Sequence, residues 1–127
     1  RMMESIRNIT AGMRNYRKRF ITRLGRKLRI VTTEDIAYFY TLGGGVFIRT
    51  GKNENLLVDN KMETLEQDLD PYEFFRLNRK VIARASAIKE MLPYSKSRIK
   101  VILNPPYDED VIVSYQHVRD FMQWVKK

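Results

Sequence analysis

In the stretch FFRLNRKVIA, residues 74–83, the polar Arg76, Asn78, Arg79 and Lys80 sit among residues that belong in a core: Phe74, Phe75, Leu77, Val81 and Ile82. Three cations and an amide in so short a span are the chemistry of anion and base-edge recognition. A guanidinium can bridge guanine O6 and N7 in two-pronged fashion, and an ammonium meets phosphate as a point charge. The run reads as one β-strand, anchored by its apolar side chains and charged on its outward side. Arg76 has two roles open to it, a phosphate contact or an ion pair with the acidic segment 63–70.

Other candidates carry less. Gly43, Gly44 and Gly45 invite a phosphate-cradling loop, but such loops lead into a helix and are followed by Lys-Ser or Lys-Thr. Here the strand-like VFIRT follows. The triplet reads as a hairpin tip that permits close backbone approach. His117 has no cysteine or second histidine to share a metal, and Ser114 is the one nucleophile near it. It reads as a capping or surface group. Asp108, Glu109 and Asp110 lack the alternating ligand spacing of a calcium loop and read as a solvated turn. Glu63, Glu66, Asp68 and Asp70 decorate a helix face. No active site assembles, so the expectation is a non-enzyme with no metal and no cofactor.

The charge is uneven. The 127 residues hold 24 Lys and Arg against 15 Asp and Glu, a net of +9. Residues 14–29 hold eight cations and no acid, 34–75 nine acids and three cations, and 76–100 eight cations against Glu90. Two basic blocks around an acidic middle predict one positive face, suited to phosphate polyanions. Charge alone leaves nucleic acid, an anionic membrane and an acidic protein surface open. Absence of cysteine excludes a disulfide framework, a thiolate metal site and a cysteine nucleophile, and fits a reducing, cytoplasmic setting. No apolar run reaches the ~18–20 residues that a membrane helix needs. No signal-peptide pattern opens the chain. The first residue is Arg1, and a piece of a longer protein is expected.

The elements that would position these groups are mostly strands. Met2, Met3, Ile6, Ile9 and Met13 have helical spacing, so 1–15 reads as a connecting helix or linker ahead of a domain at 16–127. FITRLGRKLRIV predicts two strands turning near Gly25, with Phe20, Leu24, Leu28 and Ile30 inward. TTEDI is one helical turn. AYFYTL, VFIRT and LLV form a meander. KMETLEQDLD is a short acidic helix stopped by Pro71. IKEMLPYS and RIKVIL are strands around the loop SKS, and VIV is a last strand. SYQHVRDFMQWVKK is a C-terminal amphipathic helix capped by Ser114, with Val118, Phe121, Met122 and Val125 on one side. The fold class is mostly β, a β-rich α+β domain.

EDIAYFYT, ETLEQDLDPYEFFRLNRKVIARASAIKEM, the strand pair ending in RIKVIL, and VIVSYQHVRDFMQWV follow one another in an order that resembles the LytTR DNA-binding domain. The resemblance covers residues 17–126. It implies small antiparallel sheets that stack, and double-stranded DNA contacted by loops and strand edges rather than by a recognition helix. It implies two copies on direct-repeat sites, each reading successive major grooves. It also implies the role of C-terminal output module in a bacterial two-component response regulator, with a receiver domain N-terminal to it. Matched by position, the DNA-binding residues would be Gly45 and Val46 in the first loop, and Arg79 flanked by Asn78 and Lys80 in the second. Gln116 would be the third, with Ser114 and Tyr115 as phosphate partners. Family members often carry a polar or basic side chain in the first loop. Glycine and valine stand there here, which implies backbone approach instead of base readout.

Two function classes follow. One is sequence-specific DNA binding by a transcription regulator. The other is a protein-interaction module docking an acidic partner through the basic face, with a single-stranded RNA binder using Tyr38, Phe39, Tyr40 and Phe47 as a lesser variant.

Overall fold

A computed structural model describes residues 15–127; the amphipathic segment read at 1–13 lies outside them. Ten strands and two helices follow in order: β1 Arg19–Leu24, β2 Lys27–Thr32, β3 Ile36–Leu42, β4 Gly45–Thr50, β5 Asn55–Val58, α1 Met62–Asp68, β6 Phe74–Arg76, β7 Val81–Arg84, β8 Ile88–Tyr94, β9 Arg98–Leu103, β10 Val111–Val113 and α2 Tyr115–Val125. A seven-stranded sheet runs β2-β1-β5-β4-β3-β7-β6 and a three-stranded sheet runs β10-β9-β8. Every strand pair is antiparallel. The mostly-β, α+β expectation holds.

Two cores lie on the two sides of β3 and β7. Phe39 and Ile82 join Phe20, Ile48, Leu56 and the α1 residues Met62 and Leu65. Tyr38, Tyr40, Val81 and Ala83 turn the other way, toward Val101, Val111, Phe121 and Trp124 of the small sheet and α2. Strands covered on both faces read as continuous apolar runs, which is why AYFY and VIA show no polar alternation. Of the four aromatics read as RNA-stacking groups, Tyr38 and Phe39 are fully buried and Tyr40 nearly so, while Phe47 is half-buried and stacked on Tyr40 at 5.5 Å.

Three expectations need correction. FFRLNRKVIA is not one strand. It is β6, a turn at 77–80 and β7, with Arg76 paired to Ile82 across the hairpin. The charged residues mark the tip and not an outward face. In the first hairpin Phe20 is buried, but Leu24, Leu28 and Ile30 are 57–64% exposed. Register explains two of these. Phe20 pairs with Val31 and Thr22 with Arg29, so Leu28 and Ile30 share the opposite face with Ile21. The remaining one, Leu24, sits beside the Gly25 turn, beyond the core. Lastly, the basic blocks are spread: residues 19–29 form the β1–β2 hairpin at one edge of the large sheet, whereas Arg76, Arg79 and Lys80 of the second block lie toward the other edge. Strand spacing separates β1 from β7 by roughly 20 Å.

Candidate nucleic-acid interface

The turn at 77–80 has no glycine or proline, so side chains must hold it. Leu77 is buried and anchors it in the core. Its N–H donates to Val81 O at 2.9 Å, and Thr41 N–H of β3 donates to Lys80 O at 3.0 Å. Asn78 closes the turn from inside: its Oδ1 accepts the N–H groups of Lys80 at 2.8 Å and Val81 at 3.0 Å. Asparagine makes such turns because its amide mimics a backbone carbonyl. Arg76 is four-fifths enclosed and bonds Glu66 of α1 and two carbonyls of the turn. Arg79 and Lys80 are left exposed at the tip. Among the described residues no hydrogen bond or ion pair engages the Arg79 guanidinium.

A second segment stands beside this turn. Ser114 holds the N-cap position of α2 through its carbonyl, which accepts His117 N–H at 2.9 Å, and not through the side-chain cap expected of it; Tyr115 and Gln116 form the exposed first turn. The Ser114 hydroxyl shares a hydrogen bond with His117 Nδ1 at 2.8 Å, which ties the histidine to the start of its own helix. Packing fixes the helix. Phe121 and Trp124 lie 5.7 and 5.2 Å from the Phe75 ring, and Trp124 Nε1 donates to Pro71 O at 2.9 Å. Phe75 belongs to β6, so the helix and the 77–80 turn share one foundation. A cleft of about 1060 Å³ between them is lined by Asn78, Arg79, Lys80, Ser114 and His117.

The glycine triplet lies at the same end of the sheet. Gly43 and Gly44 both have positive φ and join Leu42 to Gly45, a two-residue hairpin turn that glycine makes without strain. The strand end is adjacent to the 77–80 turn because Tyr40 pairs with Val81. Gly45 is half-buried; a Cβ there would sit 3.3 Å from Leu57. Val46 turns into the core at 9% exposure, so its side chain is not available to a ligand.

Sequence reasoning missed what fixes the neighbouring loop 104–110. Arg49 is 5% exposed, between the rings of Tyr38 and Tyr40 at 5.5 and 5.3 Å. Its Nε donates to Asn55 Oδ1 at 2.5 Å, and its Nη1 to Tyr38 Oη at 3.0 Å and Pro106 O at 2.8 Å. Tyr38 Oη in turn donates to Pro105 O at 2.9 Å. Burial pushes the Tyr38 hydroxyl up to about 12, against the opposing pull of Arg49. The anchored loop then places two of its acids on cations: Glu109 on Lys80 at 3.1 Å and Asp110 on Lys100 at 3.1 Å. Asp108, Glu109 and Asp110 all stay exposed, a solvated turn in which two of the acids also pair with cations. Among the described residues no cluster of three potential metal ligands forms, and no helix is long and apolar enough to cross a membrane.

Residues 26–126 match the family model of the LytTr DNA-binding domain. Among solved structures, the chain resembles a LytTr DNA-binding domain from a Bacillus cereus protein assigned as a methyl-accepting/DNA response regulator. The TM-score is 0.75 at 15% identity, over 87% of this chain and 99% of that one, a likeness of fold. No curated protein matches the chain. With a family match over most of its length and the fold to go with it, the chain belongs to the LytTR family of DNA-binding domains.

Proposed function

We propose that this domain binds double-stranded DNA sequence-specifically as the output module of a bacterial transcription regulator. Arg79 reads a guanine edge from the 77–80 turn, and Gln116 reads an adenine edge from the start of α2; each contact is worth about 1–3 kcal/mol of discrimination. Lys80 and Tyr115 hold phosphates, Ser114 joins them with its O–H when His117 Nδ1 is the donor of their shared hydrogen bond, and none of the three carries sequence information itself. The Gly43–Gly45 tip approaches the backbone without side chains. Two copies occupy a direct repeat, each spanning successive major grooves, and a receiver domain precedes the domain in the full protein. Arg76 and Asn78 act from within the turn.

One observation supports this reading above the others. Arg79, exposed on the 77–80 turn, lines one cleft with Ser114 and His117 at the start of α2, the exposed Gln116 belongs to that same first turn, and Phe75 locks the two elements together. The backbone beneath these groups is fixed before binding, which leaves only side-chain rotamers to order at a base edge. Titration of a labelled duplex at several salt concentrations tests it. About six phosphate contacts give a slope of log K against log salt near −5, with tighter binding to regulatory than to random DNA. A flat salt response or equal affinity for both duplexes would refute it.

A further inference from the structure

Arg76 commits every guanidinium nitrogen inside the protein. Nη1 meets Glu66 Oε1 at 2.9 Å and Glu63 Oε2 at 3.5 Å. Nε donates to Asn78 O at 3.2 Å and Nη2 to Arg79 O at 2.9 Å. Those two carbonyls belong to the two peptide units that flank the Arg79 Cα. Gripping both fixes the peptide planes on either side and thereby the direction of the Arg79 Cα–Cβ bond. The opposite end of the guanidinium rests on α1, which is anchored in the core through Met62 and Leu65.

We infer that Arg76 is a positioning residue that aims Arg79, and that α1 is the support it bears on through Glu66. This rests on the proposed base reading by Arg79 and adds the device that gives it specificity. A planar fork with five donors can span two carbonyls and a carboxylate at once; an ammonium, one nitrogen on a flexible stem, cannot. Lysine in place of Arg76 keeps the charge and loses the grip. A direct phosphate contact behaves oppositely, because lysine serves phosphate well.

The test compares the wild-type chain, Arg76→Lys and Glu66→Gln on a selected duplex and a scrambled one, across several salt concentrations. Discrimination by the wild type that Arg79→Ala, run alongside, lowers establishes the base reading on its own; its absence overturns both that reading and the role of Arg76. Arg76→Lys is expected to lower the ratio of specific to nonspecific affinity by roughly tenfold, the loss of about one base contact. Its nonspecific affinity and salt slope stay at the wild-type values. Glu66→Gln is expected to lower the same ratio by a smaller factor, although removing an acid favours DNA in general. An unchanged ratio in Arg76→Lys overturns the inference. So does equal weakening on both duplexes with a slope shallower by about 0.9, the mark of a lost phosphate contact. A thermal melt checks folding. If Arg76→Lys does not fold, Glu66→Gln decides: a lowered ratio supports the inference and an unchanged one overturns it.

Discussion

Asn78 offers the sharpest perturbation, because its position suggests base reading while its bonds are internal. Its Oδ1 takes two backbone N–H groups, Lys80 at 2.8 Å and Val81 at 3.0 Å. The contact from Nδ2 to Ile112 O, at 3.5 Å, is long and contributes little. Asn78→Ala removes both accepted bonds. Lys80 N–H can turn to water, so its loss costs the net value of one bond. Val81 N–H lies under a buried residue and is left short of a partner. At about 1 kcal/mol for a replaced bond and about 1–3 for an orphaned donor, the sum is about 2–4 kcal/mol. For a domain of this size that lowers the Tm by roughly 10–20 °C. Asn78→Asp keeps the acceptor, so its melt stays near wild type, while its added negative charge weakens binding to every duplex. Thermal denaturation of both variants, paired with duplex titration, checks this. If Asn78→Ala melts with the wild type and loses preference at one base pair, Asn78 reads DNA directly and its turn-forming role is refuted.

Lys80→Ala is expected to weaken all duplexes alike and to reduce the salt slope by about 1, measured by the same titration. Glu109→Gln frees the Lys80 ammonium from its 3.1 Å partner and is expected to tighten binding up to about fivefold at low salt, fading as salt rises. Arg49→Met removes the donor to Pro106 O and one of the two donors to Asn55 Oδ1, which keeps Tyr40 Oη, and a loss of about 1–3 kcal/mol should appear in chemical denaturation. Tyr38 is held neutral by the fold to about pH 12 against an ordinary 10.0. The unfolded chain therefore ionises this ring first, and the stability its neutrality provides is whole below pH 10 and lost as pH rises toward 12. Burial raises Tyr107 as well, so ultraviolet titration should show a late-ionising component that Tyr38→Phe reduces.

Much of this fold can be read from residue types. The acidic helix before Pro71, the Gly43–Gly44 hairpin and the amphipathic C-terminal helix each carry a local signal that the structure obeys. The break inside FFRLNRKVIA was harder, because no glycine or proline announces it and the buried Leu77 keeps the strand pattern alive through the turn. Asn78 was the legible clue, as a common turn former. The exposed Leu28 and Ile30 could not be foreseen, since one residue of register decides which face of a hairpin meets the core. Nor could the distance between the basic blocks. That depends on strand order, in which β3, β4 and β5 separate two segments of like charge. Arg49 was hidden for a related reason: β4 is buried near its end on both faces, and one acceptor that satisfies the arginine, Pro106 O, comes from a loop remote in sequence.

Selection of bound duplexes from a random pool, run in parallel with the wild-type chain and Arg79→Ala, tests the central claim most directly. A directly repeated motif with ~10-bp spacing is expected from the wild type. The same motif, relaxed at one base pair in each repeat, is expected from Arg79→Ala. Recovery of no motif, or of an identical motif by both proteins, would contradict base reading from the 77–80 turn.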